Sequence, residues 1–137
     1  MVIGYLPMTA DLFHVGHLNA IANAYQICDQ LYIGLLTDKA INKYKGKPPI
    51  IPYEERKLIL RYVLFPLRGK IYKQKSINPL TGLKKTKADI MFSGDGFTKE
   101  EVAAADKLGV GKLIFKYCEQ TSTTKIKERV IKQNSKK

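Results

Sequence analysis

Short apolar segments alternate with segments of helical periodicity along this chain, and this alternation most constrains how it can fold. The strand candidates lie at 2–6, 31–36, 89–92 and 113–115. Because these segments are nearly continuously apolar, they are typical of strands that are buried on both faces. Helices between such strands let the chain return to start the next strand in the same direction. The sequence therefore predicts one α/β domain with a central parallel sheet and helices on both faces.

Four helices are predicted between and after these strands. One begins near His17, and the others cover 52–64, 98–108 and about 123–133. The helix over 52–64 begins with proline and two acids, which favour a first turn. The helix over 98–108 begins with a capping-box pattern and is followed by a glycine, which favours a helix end.

Length and composition fit a single soluble domain. The chain has 137 residues, 45% of them hydrophobic, which suits one core. We expect a domain over 1–130 and a basic tail over 131–137. No apolar run reaches the length of a membrane span, and the first residues lack a signal-peptide pattern, so we expect a cytoplasmic protein without a membrane partner. Two distant cysteines, Cys28 and Cys118, argue against a disulfide framework or a Cys-rich zinc site.

The charge is unusual and unevenly placed. The 24 Lys and Arg against 12 Asp and Glu give a net charge of +12, yet residues 1–38 contain no Lys or Arg. The basic stretches are 39–47, 73–87 and 125–137, and the first two contain turn signals. Nucleic acid, an anionic surface or a phosphate-rich ligand could each explain such a charge. A non-catalytic module that binds nucleic acid stays an alternative, although the first two basic stretches lie in turn-rich segments rather than along one helix, as such a module would favour.

Both histidines of the chain lie where the first strand gives way to the first helix. His14 and His17 flank Gly16 in the segment Met8–His17. A helix N-terminus attracts phosphate through its free amides, and glycine lets phosphate approach the backbone closely. Imidazoles can donate hydrogen bonds to phosphate oxygens as charge develops on them. The segment therefore predicts a site for phosphoryl chemistry.

This segment resembles the HxGH signature of the cytidylyltransferase-like nucleotidylyltransferases. Three later segments agree in order with that family: the basic stretch after Thr37-Asp38, the ExR pattern within 53–57, and Ser122–Lys127, which is similar to the STTKIK of the glycerol-3-phosphate cytidylyltransferase branch. The resemblance implies a Rossmann-like three-layer fold. It also implies transfer of CMP from CTP to the phosphate or phosphonate of a small acceptor, with release of pyrophosphate.

The resemblance also implies roles for individual residues. The expected catalytic residues are His14, His17 and Lys45. The expected nucleotide-binding residues are Thr9, Ala10, Asp11, Gly16, Gly94, Asp95, Ser122, Thr123 and Thr124. The expected acceptor-binding residues are Lys43 and Arg56, with the two lysines acting as point charges on a mobile loop. Magnesium is expected to arrive with the triphosphate rather than at a dedicated protein site, and the family is often homodimeric.

Some roles have two interpretations. Asp11 could cap its turn or position magnesium, Arg56 could pair with an acid or reach the phosphate pocket, and Ser122–Thr124 could cap the last helix or bind nucleotide. The acceptor pocket is expected to be shaped by 65–87.

The chain also departs from the family pattern. Met8–Asp11 replaces GTFD and is similar to cytidylyltransferase domains of phosphonate biosynthesis, Tyr117 replaces an arginine, and Gly94–Phe97 replaces GDDW. The segment 45–52, KGKPPIIP, resembles archaeal FMN adenylyltransferases, which makes adenylyl transfer to FMN the alternative activity.

Overall fold

A computed structural model describes residues 1–115 and 123–135; of residues 123–125, 134 and 135 it describes only the backbone. Within this part of the chain there are five strands and six α-helices. The strands are β1 Ile3–Met8, β2 Gln30–Leu36, β3 Lys70–Gln74, β4 Ile90–Ser93 and β5 Gly111–Ile114. The helices are α1 Val15–Tyr25, α2 Asp38–Lys45, α3 Tyr53–Leu64, α4 Leu80–Thr86, α5 Lys99–Leu108 and α6 Thr123–Ser135.

The strands form one parallel sheet in the order β3-β2-β1-β4-β5. The β1–β2 register runs from Ile3 opposite Gln30 to Met8 opposite Leu35. Strand β1 lies at the centre of the sheet, with β2 and β3 on one side of it and β4 and β5 on the other. The order therefore reverses between β1 and β4, and ligands of such sheets bind outside the carboxyl ends of the strands at this point.

Helices cover both faces of the sheet, as the sequence predicts. One apolar cluster joins the sheet to α1 and α3 through Ile21, Ala24, Leu60 and Leu64. A second cluster, on other strand residues, includes α4 and α5 through Leu83, Ala104 and Ala105. The fold is thus a three-layer, Rossmann-like α/β domain, and the fold prediction is confirmed.

The four predicted strands and four predicted helices are all present, but β3, α2 and α4 were not predicted. Both helices have eight residues or fewer and are rich in lysine, and β3 is a basic edge strand without a continuous apolar run. Gly82 looked like a turn residue but lies within α4, where a Cβ would come within 2.2 Å of the Tyr5 hydroxyl oxygen. Close packing, rather than a turn, requires this glycine.

The structure also bears on the predicted domain boundary and on the length of the helices. Helix α6 continues to Ser135, so the predicted boundary between domain and tail at 130/131 falls inside a helix. None of the described helices is both long enough and apolar enough to span a membrane.

Arg56 is the largest completely buried side chain in the part of the chain that the structure describes, and it joins several loops at the carboxyl edge of the sheet. Its Nη1 donates to the carbonyl oxygens of Thr9 (2.6 Å) and Leu36 (2.8 Å), just after β1 and at the end of β2. Its Nε donates to the Ile51 carbonyl oxygen at 2.8 Å. Its Nη2 forms an ion pair of 2.7 Å with Asp38, the first residue of α2.

These contacts correct the expectation that Arg56 binds the acceptor. The guanidinium is enclosed by protein, and four of its hydrogen bonds go to the protein itself. Of the two interpretations left open by the sequence, pairing with an acid is the one found, since Asp38 is its partner. Arg56 fixes the loops from which the site is built.

We predict that Arg56→Lys lowers the free energy of unfolding by about 3 kcal/mol or more, because lysine cannot reproduce the guanidinium fork inside a buried network. Urea unfolding of both proteins measures this difference. Arg61→Lys, at an exposed position of the same helix, is the control and should change stability by less than about 0.5 kcal/mol. A loss below about 1 kcal/mol for Arg56→Lys would contradict the anchoring role.

Candidate active site

A cleft of about 1310 Å³ lies at the carboxyl edge of the sheet, where β1 and β4 end. It brings together most of the predicted site residues: Thr9, Asp11, His14, Gly16, His17, Lys45, Gly94 and Asp95 line it. Ala10, Lys43 and Arg56 are not among the residues that line this cleft. Ala10 is 1% exposed and belongs to the core beneath it.

The two histidines form a reciprocal cap on the first turn of α1. His14 is the N-cap residue, and its Nδ1 accepts a hydrogen bond of 2.9 Å from the Gly16 amide. His17, three residues later, accepts one of 3.1 Å at its Nδ1 from the His14 amide. The imidazole centroids are 4.1 Å apart, and Phe13 stacks on His17 at 5.2 Å. The spacing of the HxGH segment is therefore that of a capping box built from histidines.

This cap determines where each imidazole carries its proton. Because each Nδ1 accepts a backbone hydrogen bond, a neutral ring must hold its proton on Nε2. Burial, with a smaller contribution from His14, lowers the pKa of His17 to about 4. Burial also lowers the pKa of His14. At neutral pH the cleft is therefore lined by two uncharged imidazoles, each with an Nε2–H donor.

The loop between β1 and α1 holds a strained backbone. Ala10 and Leu12 have φ of 55° and 51°, a left-handed conformation that non-glycine residues adopt at a cost of order 1 kcal/mol. Asp11 lies between them, and its carboxylate oxygens accept hydrogen bonds of 2.9 Å from the amides of Ile50 and Ile51. This pairing joins the histidine loop to the segment before α3.

The Asp11 carboxylate therefore binds backbone amides of the segment before α3. Lys127 of α6 lies 3.7 Å from its carboxylate, which adds a positive partner. Among the described residues, no three His, Cys, Asp or Glu side chains form a group that could hold a metal ion.

Lys43 and Lys45 lie on helix α2 rather than on a mobile loop, which corrects that expectation. Helix α2 is capped by Thr37, whose hydroxyl accepts from the Ala40 amide at 3.2 Å, and it ends at Gly46 with φ of 77°. Lys45, in its last turn, lines the cleft, whereas Lys43 is exposed outside it. The helix geometry therefore separates two lysines that the sequence placed together.

The turn after β4, at Gly94–Phe97, also lines the cleft. The Ser93 hydroxyl donates to the Gly96 carbonyl oxygen at 2.6 Å and accepts from the Gly96 amide at 3.0 Å. Gly96 has φ of 124°, which only glycine adopts freely. This turn places Gly94 and Asp95 at the cleft.

Sequence reasoning missed several residues of the cleft. They are Asn19 and Asn23 on α1, Lys47, Gln74, Glu101 and Lys127. The two asparagines could have been found, because they follow Gly16 at helical spacing. Lys47 lies in the connection between α2 and α3, and Gln74, Glu101 and Lys127 depend on β3, α5 and α6 meeting at one edge, which periodicity does not give.

Helix α6 contributes Lys127, Glu128 and Ile131 to the cleft. The backbone of Thr123 and Thr124 begins this helix, as predicted. Their side chains, and the whole of Ser122, Tyr117 and Cys118, lie outside the described residues, so their roles stay predictions.

The histidine cap predicts a pH dependence of stability. In the unfolded chain His17 titrates near its ordinary pKa of about 6.5, whereas in the folded protein its pKa is about 4. The unfolded state therefore binds more protons between these values. The contribution of neutral His17 to the free energy of unfolding is complete above about pH 6.5. It is lost as the pH falls toward about 4, by up to about 1.4 kcal/mol per pH unit.

Urea unfolding between pH 4 and 7 of the wild type and of His17→Gln tests this prediction. Glutamine keeps an oxygen that can accept a hydrogen bond from the His14 amide, but it does not titrate. Because both proteins contain the same carboxylates, the pH dependence that these cause cancels in the difference between the two curves. The difference between the two curves should shrink or change sign as the pH falls. Parallel curves would show that His17 is not held in its neutral form.

Comparisons with known proteins agree with this geometry. The sequence model of a family described as cytidylyltransferase-like matches residues 5–129. The glycerol-3-phosphate cytidylyltransferase of Staphylococcus aureus (strain NCTC 8325 / PS 47) is 32% identical over 131 residues, covering 93% of this chain and 94% of that one. The FAD synthase of Pyrococcus abyssi (strain GE5 / Orsay) is 33% identical over 84 residues, covering 61% of this chain and 56% of that one.

Other relatives are longer than this chain. The bifunctional protein HldE of Campylobacter concisus (strain 13826) is 30% identical over 121 residues, which are 88% of this chain and 25% of that protein. The chain thus spans about a quarter of the length of this relative.

A solved structure shares the fold. It is a lipopolysaccharide core biosynthesis protein from Thermoplasma volcanium GSS1, with a TM-score of 0.71 at 20% identity, covering 87% of this chain and 99% of that one. At this identity the likeness concerns the fold alone. The family match over most of the sequence, together with the Staphylococcus aureus relative of nearly equal length, shows that this chain belongs to the cytidylyltransferase-like family of nucleotidyltransferases.

Proposed function

We propose that this chain transfers CMP from CTP to the phosphate or phosphonate of a small acceptor. An oxygen of the acceptor attacks the α-phosphorus of CTP, the bond from that phosphorus to the bridging oxygen of the β-phosphate breaks, and pyrophosphate leaves with that oxygen. Such chemistry needs positioning and charge stabilisation rather than a nucleophilic side chain.

The reciprocal cap of His14 and His17 is the observation that carries this proposal. It holds two neutral Nε2–H donors at one helix N-terminus in the cleft. In the proposed transition state, negative charge grows on the oxygens of the α-phosphate. Preorganised donors stabilise that charge without having to reorganise during the reaction.

Positive charge around the histidines suits a triphosphate. Lys45, Lys47 and Lys127 line the same cleft, and the amides of the first turn of α1 add the positive end of the helix dipole. We assign Lys45 to the triphosphate. Lys43, which resemblance alone assigned to the acceptor, lies outside the cleft in this structure.

We propose that magnesium enters with the nucleotide. This ion commonly keeps several waters and binds through phosphate oxygens with few protein carboxylates. Both oxygens of Asp11 already accept backbone hydrogen bonds from Ile50 and Ile51. The homodimer implied by the family also stays a prediction, which the molar mass measured by light scattering would test.

Adenylyl transfer to FMN is the second candidate. It is favoured by the similarity to an FAD synthase over 84 residues and by the segment KGKPPIIP, whose residues Lys47, Pro48 and Pro49 line the cleft. Phosphate chemistry at the histidines would be the same in both reactions. The two activities differ in the nucleotide base and in the acceptor.

Pyrophosphate release separates these candidates. We expect release with CTP and a small phosphorylated or phosphonate acceptor, and much less with ATP, GTP or UTP. Release with ATP and FMN, but not with CTP, would establish the second candidate instead. An enzyme that releases no pyrophosphate with any of these pairs would refute both.

We predict that His14→Asn and His17→Gln each lower kcat by about 10²- to 10³-fold, as removal of one preorganised donor does. Both substitutions keep side-chain oxygens suited to the helix cap, so the thermal midpoint should change little. Steady-state kinetics and thermal unfolding measure the two quantities separately. A loss of less than tenfold for both variants would show that the pair serves only to cap the helix.

We predict that Lys45→Ala raises KM for the nucleotide or lowers kcat by at least about tenfold, because it removes a counter-charge of the triphosphate. Lys43→Ala, two residues away on the same helix, is the matched control and should stay near wild type. Equal losses for both variants would restore the expectation that both lysines serve the site.

A further inference from the structure

The cleft extends to both sides of the central strand β1. The histidine cap follows β1 closely, and the strand order places the ends of β2 and β3 on one side of it and the end of β4 on the other. The turn after β4 lines the cleft with Gly94 and Asp95, which are expected to bind the nucleotide. The opposite side, formed by β2, α2, the α2–α3 connection and the end of β3 with the residues after it, is then left for the acceptor. We call it the β2–β3 side.

The β2–β3 side is mostly apolar. The apolar and aromatic residues that line it are Leu36, Ile41, Tyr44, Pro48, Pro49 and Ile77. Leu36 and Ile41 are 7% and 3% exposed and provide a buried apolar base. Tyr44 follows Ile41 by three positions, so α2 presents both side chains on one face. Tyr44 lines the cleft yet is 55% exposed, so it adds open aromatic surface beside this base.

The wall that carries Tyr44 is formed before any ligand binds. Helix α2 ends at Gly46, and Lys47, Pro48 and Pro49 follow directly. Prolines restrict the backbone, so this connection has little conformational freedom to lose on binding. Among the described residues, no aromatic ring and no cation packs against the Tyr44 ring. A ligand group that covered this ring would therefore remove apolar surface from water at little cost in order.

The charges on the β2–β3 side suit an anionic group better than a cationic one. Lys45 and Lys47 line it, and the described residues of these elements that line the cleft include no Asp or Glu. The adjoining Asp11 carboxylate already accepts hydrogen bonds of 2.9 Å from the amides of Ile50 and Ile51. A cationic group would add positive charge beside two lysines. The lysines suit the phosphate or phosphonate of the acceptor instead.

The amide of Gln74 on the β2–β3 side is engaged within the protein. Gln74 is 2% exposed, and its Oε1 accepts a hydrogen bond of 2.6 Å from the Tyr5 hydroxyl. Its Nε2 donates to the Ser76 carbonyl oxygen at 2.9 Å. Both polar atoms of this side chain thus have protein partners. An acceptor rich in hydroxyl groups would bury them against apolar walls, which costs free energy where no partner replaces water.

We propose that Tyr44 is a specificity-determining residue and that the acceptor carries an aromatic ring beyond its phosphate or phosphonate, which packs against Tyr44 on the β2–β3 side. This inference rests on the proposed function. The cleft of about 1310 Å³ exceeds the roughly 300–1,000 Å³ of common ligand sites, so it has room for a nucleotide and a ring together. A ring is favoured over an alkyl chain because two aromatic faces gain more than their buried area alone.

Matched acceptors test this inference in the wild-type protein. Pyrophosphate release with CTP is compared for benzyl phosphate, cyclohexylmethyl phosphate, n-propyl phosphate and glycerol 3-phosphate, which share one phosphate monoester group. We expect kcat/KM for benzyl phosphate to be about 10- to 100-fold higher than for n-propyl phosphate and glycerol 3-phosphate, and clearly higher than for the cyclohexyl compound.

The outcomes of this comparison separate the inference from the proposed function. Release that is as fast with glycerol 3-phosphate as with benzyl phosphate would overturn the inference and leave the proposed function intact. Equal rates for the benzyl and cyclohexylmethyl compounds would show that the pocket reads apolar volume rather than a ring, which also overturns it. No release with any of the four acceptors would overturn both.

Substitution of Tyr44 then tests the residue itself. We expect Tyr44→Ala to lower the preference for benzyl phosphate over n-propyl phosphate at least about tenfold, and Tyr44→Phe, which keeps the ring, to retain it. The thermal midpoint of both variants should change little, because the position is exposed. Tyr62→Ala is the matched control, since Tyr62 is 77% exposed on α3 and is not among the residues that line the cleft. An unchanged preference in Tyr44→Ala would overturn the assignment.

Two further arms separate other partners of the ring. If Tyr44→Ala raises KM for CTP by the same factor with every acceptor, the ring packs against the nucleotide and the acceptor assignment is overturned. Phosphocholine tests a cationic partner, because aromatic rings also bind quaternary ammonium groups. A wild-type preference for phosphocholine over benzyl phosphate that Tyr44→Ala abolishes would likewise overturn the proposal.

Discussion

The buried guanidinium of Arg56 is the interaction on which the geometry of this site depends. Parallel strands end together at one edge, and the loops that leave them carry carbonyl groups that the sheet does not satisfy. Arg56 donates to carbonyls at the ends of β1 and β2 and to the segment before α3, and it pairs with the first residue of α2. One side chain on α3 thereby fixes the starting points of the histidine loop and of the helix that carries Lys45.

The histidine loop depends on a second link to the same segment. Ala10 and Leu12 are held in left-handed conformations, and the Asp11 carboxylate between them binds the amides of Ile50 and Ile51. Such conformations persist where surrounding contacts over-determine them. Beyond this loop the helix cap itself is made of imidazoles, so the contacts that begin α1 also fix the protons that face the cleft. Fold and proposed chemistry share the same hydrogen bonds here.

Sequence reasoning succeeded where local physics is strong. Continuous apolar strands, a Thr–Glu capping box and a helix-ending glycine predicted the four strands, α5 and its end. It failed where an element is short and basic, as in α2, α4 and β3, because so few residues carry too little apolar periodicity to be recognised. The predictions for Lys43 and Arg56 failed because their surroundings in the folded protein, rather than local sequence, decide what they contact. Each carries a charge that suits a phosphate, yet helix direction places one outside the cleft and burial encloses the other.

The sequence by itself determined the three-layer α/β fold, the position of the two histidines at the first helix start and the family to which they point, because these follow from periodicity and from residues close together in the chain. Only the tertiary structure decided which charges face the cleft. The pairing of Arg56 with Asp38, of Asp11 with the segment before α3, and of Tyr5 with Gln74 joins residues distant in sequence. Their meeting depends on the order of the strands, which no local pattern encodes.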